Sequence, residues 1–129
     1  MKIPILISRI LLGLVFFASG LAGILHLMSS KGMPAGDAAD FTNLLMSHGY
    51  MNFVDLLMLI AGLLLLVGRF VPLALVILGP ILVNILLFHV TFMPKGIIPG
   101  AVCTVLEVFL IWAYRLSFRG LFDAAPEVY

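Results

Sequence analysis

MNFVDLLMLIAGLLLLVGRFVPLALVILGPILVNILLFHVTF, residues 51–92, decides the fold. Across this stretch only Asp55 and Arg69 carry a formal charge, and the apolar residues run on without the alternation of a half-buried strand. The cluster of Gly68, Arg69, Phe70 and Pro72 divides it into two runs. About 20 mainly apolar residues rising 1.5 Å each cross the hydrocarbon of a bilayer as a helix, so the two runs read as spans at 51–68 and 72–92. A turn that short forces them antiparallel.

Working outward, residues 5–27 and 97–115 have the same character, and 93–96 is another short turn. The expected fold is all-α: one integral membrane domain covering 1–129, an up-down four-helix bundle with spans at about 5–27, 51–68, 72–92 and 97–115. Composition agrees, since 64% of residues are hydrophobic and 10% charged, against roughly 25% charged in soluble domains. Lys2 and Arg9 ahead of an apolar run that reaches Ala18, Ser19 and Gly20 have the outline of a secretory signal. The run continues to Leu27, long enough to span, so we read a retained helix. A formal net charge of +1 with no Lys/Arg cluster argues against a nucleic-acid partner. The expected partners are membrane lipid, other membrane helices or an apolar ligand.

With four spans both termini share a side. Lys2, Arg9, Arg69, Arg115 and Arg119 then lie on one face, and Lys31 and Lys95 on the other, which places the N- and C-termini in the cytoplasm. Trp112 and Tyr114 fit an aromatic belt at the inner end of the last span, with Arg115 and Arg119 able to reach headgroups beyond it. The long connection 29–49 falls outside. Its second half reads as a short amphipathic helix at the interface, with Asp37 as N-cap, Asp40 three residues on, Gly49 as the stop, and Phe41, Leu44, Leu45 and His48 on one face. It is either a lid over the bundle or a packed connector.

Ionisable groups inside spans carry the functional information, because each costs about 2.5 to 3.5 kcal/mol at a span centre on insertion scales. Glu107 falls about 15 Å from the outer end of the last span and Asn84 about 18 Å from the inner end of the third, so the two reach similar depth and can pair. Glu107 shares a face with Gly100, Thr104 and Tyr114, which makes Glu107, Asn84 and Tyr114 the candidate cofactor contacts. Pro80, one turn before Asn84, leaves the carbonyl of Val76 without its donor and predicts a kink with Gly79. Asp55, Gly62 and Arg69 repeat every seven residues and form a second stripe. His26 and His89 come to the depth of Asp55 at the outer side. The expected site is an outer cluster of His26, Asp55 and His89 above a deeper Asn84 and Glu107 pair, suited to proton transfer or to hydrogen bonding a ligand's carbonyl oxygens. Against it stands the plain reading, in which helix-end histidines meet water and Asn or Glu holds helices together. Two His and one carboxylate lack the local spacing of a metal site, so no metal is assigned. The Ser19 and Gly23 pair permits close helix approach and leaves a homodimer open.

Four segments, RILLGLVFF (9–17), GLLLLVGRFVPL (62–73), PILVNILLFH (80–89) and LEVFLIWAYR (106–115), resemble in order and spacing the DoxX-like family of small four-helix bacterial membrane proteins, along nearly the whole chain. The resemblance puts Asn84, His89, Glu107, Tyr114 and Arg115 on positions that the family fills with these types. Family members often carry Glu ahead of the glycine pair in the second span, where this chain has Met58 before Ala61 and Gly62; Asp55, one turn earlier, is the candidate substitute, and the departure leaves open any activity that depends on that Glu. The resemblance implies a bacterial inner-membrane location and, through a related branch, a tie to quinone-linked redox or oxidative-stress systems, with quinone as cofactor and a membrane or soluble redox protein as partner. Two other readings stand beside it, a non-catalytic assembly or scaffold protein and a small proton-coupled transporter. Thiol-disulfide exchange is excluded, because it needs two thiols and Cys103 is the single cysteine.

Overall fold

The structure, a computed structural model, describes residues 2–25, 36–125 and 127. His26 and Lys31 therefore lie outside the described residues. Among the described residues all regular secondary structure is helical: α1 (Lys2–Ile24), α2 (Asp37–Ser47), α3 (Tyr50–Val67), α4 (Val71–Thr91) and α5 (Ile97–Ala113), with short 3-10 segments at Pro94–Gly96 and Arg115–Phe122. Four of the helices are long and apolar enough to cross a membrane, so the chain is a multi-pass, all-α membrane bundle. Each long helix packs on its two neighbours in a ring, α1 on α3, α3 on α4, α4 on α5 and α5 back on α1, while the diagonal pairs contribute little. That is the up-down topology expected from the short turns.

The α1 and α3 pair is the closest in the bundle, and glycine makes it so. A Cβ at Gly20 would lie 2.6 Å from the carbonyl oxygen of Asp55 and 2.6 Å from the amide of Leu59. A Cβ at Gly62 would overlap the backbone of Phe17. In a membrane, where helices gain little from leaving lipid, such backbone contact is the main source of attraction. The small residues of α1 are thus used within the chain.

Helix boundaries follow local chemistry. α1 begins at Lys2, three residues before the expected start, because Pro4 falls in the first turn, where its missing N–H would have no partner anyway. α3 ends at Gly68 in the left-handed region (φ 76), whose amide donates to Leu64 O at 2.9 Å. Phe70 also has positive φ (54), so the α3 and α4 hairpin is pinned by a tight turn. The guanidinium of Arg9 lies against Gly68, at the negative end of the α3 dipole, rather than out among headgroups. α4 runs through Pro80 without interruption.

One expectation for α2 is corrected. Its N-cap is Gly36, not Asp37, and no side chain caps the helix; Asp37 and Asp40 lie in the first turn, where negative charge suits the helix dipole. Of Phe41, Leu44, Leu45 and His48, only Phe41 and Leu45 line the cavity beneath the helix, and all but Leu45 are exposed. An eleven-residue helix resting on a corner of the bundle buries a strip narrower than the face those four residues span.

The core is not centred. The buried residues of α4 are Val71, Ala74, Leu75, Leu78 and Leu82, and none follows in the rest of the helix. The more tightly packed half of the bundle is therefore the half that carries Lys2, Arg9, Arg69, Arg115 and Arg119; the other half, near α2 and Lys95, still buries Gly20, Asp55, Met58, Gly100 and Cys103 but opens beside α4.

Candidate functional site

Since α3 and α4 are held together by the turn at 68–70, they part toward their far ends, and α2 crosses the gap. The result is a cavity of about 720 Å³ lined by α1, α2, α3 and α4. Its roof is fixed by rings: Phe41 of α2 stacks on Phe92 at 5.5 Å and meets Phe88 at 5.7 Å, with Phe88 and Phe92 5.6 Å apart one turn along α4. Met46, Met51, Val54 and Met58 supply much of the apolar wall. Tyr50 and Leu87 line the cavity and are also exposed, so its mouth lies between α3 and α4. Leu87 belongs to the outward stripe of Leu73, Val76, Val83 and Val90, which makes that mouth face lipid.

Three of the expected site residues line this cavity: Asp55, Asn84 and His89. Asp55 is 6% exposed, and its carboxyl group fits against Gly23 of α1, where any side chain would overlap it. His89 places Nδ1 2.8 Å from Ile85 O, and its ring meets Phe88 edge-on at 5.4 Å. Gly96 leaves room for the ring on its other side, since a Cβ there would come 3.3 Å from Nε2. Asn84 donates from Nδ2 to Pro80 O at 3.0 Å. His26 lies outside the described residues, so its place in the cluster is not described.

The expected Asn84 and Glu107 pair is not formed. Asn84 turns its amide back along α4, and it lies at the exposed edge of the helix rather than in the bundle interior. The expectation used depth alone, and two residues at one depth on adjacent helices still need facing azimuths to meet. Glu107 is 3% exposed on the buried stripe of Gly100, Cys103 and Leu110, and neither carboxyl oxygen has a hydrogen-bond partner among the described residues. Thr104, on the flank of that stripe, gives its hydroxyl proton to Gly100 O at 2.8 Å. Tyr114 packs partly buried against the core at the opposite end from the cavity. Glu107, Asn84 and Tyr114 therefore do not converge on one ligand. Arg115 stays at the end of α5, its guanidinium 4.7 Å above the Trp112 ring and donating to Trp112 O at 2.9 Å.

Sequence reasoning missed Thr42, which lines the cavity from α2 and donates to Ala38 O at 2.9 Å, and it missed the aromatic roof. The i, i+4 spacing of Phe88 and Phe92 was the available signal. Chemically, the cavity offers a mainly apolar chamber with a few polar groups spread along its wall. Comparison with protein-family models, with curated proteins and with solved structures finds no match.

Proposed function

We propose that this chain is a small bacterial inner-membrane protein, with both termini in the cytoplasm, that holds an apolar, ring-headed molecule of the quinone class and serves quinone-linked redox or oxidative-stress systems. The observation that carries the reading is the 720 Å³ cavity, apolar-walled and open between α3 and α4, with Asp55, Asn84 and His89 in its lining. The five cations at the end that holds the termini support the orientation, and the resemblance to DoxX-like proteins supports the location and the redox tie.

The test is purification in mild detergent followed by mass spectrometry of the extracted lipids. Wild type is expected to retain quinone in near-stoichiometric amount, and Val54→Trp, which fills the chamber, to lose it while keeping the elution profile of the folded bundle. Equal retention by both, or none by wild type, would sink the reading.

A second reading, proton-coupled transport, is favoured by the buried and unmatched carboxyl of Glu107. Proteoliposomes would then take up protons with wild type and not with Glu107→Gln.

A further inference from the structure

One polar side chain stands on the outer surface of a span. Asn84 is exposed about 10 Å inside the end of α4. Among the described residues, every other exposed position more than one turn inside a span is apolar. The amide gives one N–H to Pro80 O at 3.0 Å, and that is its one hydrogen bond among the described residues. Oδ1 and the second N–H remain, an acceptor beside a donor, at a depth where acyl chains offer neither.

Asn84 also belongs to a repeat. Leu73, Ile77, Pro80, Asn84, Leu87 and Thr91 follow one another at alternating spacings of four and three. At about 3.6 residues per turn the six fall within roughly 40° of one line along the helix. Five of them are exposed and Ile77 is half-buried, so the line looks away from the core of its own bundle. A spacing that averages half a heptad is that of a seam between two helices, and a single Asn in such a seam fixes register and the number of strands.

We propose that α4 packs along this seam against α4 of a second copy, with Asn84 bonded to the partner's Asn84. Copies of one chain insert in the membrane with one orientation, so a two-fold axis along the membrane normal sets the two amides at the same depth. A two-fold contact needs a surface that complements itself. A primary amide provides it, since each gives its free N–H to the other's Oδ1 and neither is left bare. Lipid tails cannot make that exchange. The exposed spans of α1 and α5 carry no such group, and Gly20 and Gly23 of α1 are covered by Leu59 and Asp55 of the same chain. Asn84, Leu87 and Thr91 also line the cavity, so the second copy stands beside its mouth and completes the wall on the α4 side. The inference does not depend on what the cavity holds.

The experiment is disulfide trapping in native membranes under mild oxidation. Leu73→Cys and Leu87→Cys, each on the seam, are expected to give covalent dimers. Val105→Cys, exposed on α5, and wild type, whose Cys103 is buried, are expected to stay monomeric. In a second measurement, copies labelled at the C-terminus with donor and acceptor fluorophores are diluted in liposomes. Asn84→Leu is expected to weaken the dimer about ten-fold, the effect of two hydrogen bonds between helices, and Asn84→Gln, which keeps an amide, to weaken it less. A monomeric wild type overturns the inference and leaves the cavity reading standing. So do trapping at Val105→Cys equal to that on the seam, and an Asn84→Leu dimer as tight as wild type. Trapping at either seam position needs no change at Asn84, so a misfolded Asn84 variant does not blunt the test.

Discussion

At the end of the bundle that carries the termini, Leu65, Leu75, Leu78 and Leu110 are wholly buried, whereas at the α2 end α1 to α4 surround about 720 Å³ of space. In α3 and α4 the cavity end carries Asn52, Asp55, Asn84, His89 and Thr91, whereas the packed end is wholly apolar. Side-chain shape and chain connection separate the ends further. Near the 68–70 turn, Ala61 and Ala74 let Leu65, Leu75 and Leu78 interdigitate. Beyond Leu82, α4 keeps close contact with α5 only on one side, where Gly100 lies against Ile85, and on the side of α3 the gap is spanned by α2 through a few rings. In lipid, where water gives no push, a bundle can leave one half unfilled at little cost provided the other half is well packed.

The contrast can be broken most severely at its foundation. Gly62→Leu would force α1 away from α3 along the whole contact and should destabilise the bundle by about 3 kcal/mol or more, read as loss of the monodisperse peak on heating in detergent. Leu78→Ala, in the packed half, should cost about 2 kcal/mol through the void it leaves, measured by thermal unfolding. Leu45→Ala, at the hollow end, should cost under about 0.5 kcal/mol in the same assay, because its neighbours already border empty space. If Leu45→Ala proved as costly as Leu78→Ala, the hollow half would have to be filled in the working protein. Glu107→Leu sharpens the comparison from the other side: the substitution removes from the packed half two oxygens without a partner among the described residues and should stabilise by about 1 kcal/mol. A variant more stable than wild type but defective in growth would mark Glu107 as kept for function.

Much of this was legible before any coordinates. Four spans, their antiparallel order and the helical character of 37–47 followed from apolar run length and from Gly and Pro placement, since a backbone in hydrocarbon has few ways to satisfy itself. The buried stripe through Gly100 and Glu107 followed from helical period. The partners of the polar groups did not follow. Asn84 and Glu107 share a depth, but depth fixes only one of the two coordinates on a helix surface, and the azimuth depends on which residues pack. The i−4 bonds of Thr42, Asn84 and His89 are local, yet a rotamer is chosen by the neighbours that surround it, as Gly96 does for the ring of His89. The cavity was invisible for a simpler reason: a void has no residue of its own.

The hairpin of α3 and α4 has a mechanical consequence. Pinned at 68–70, it behaves as a pair of tongs whose handle is the packed end and whose tips are Tyr50 and Leu87. Ala74 lies about one turn from the pin and Leu87 about five, so a small spread forced at the first arrives several-fold enlarged at the second. A bulkier residue at position 74 would thus retune how wide a molecule can pass, from a place that never touches it.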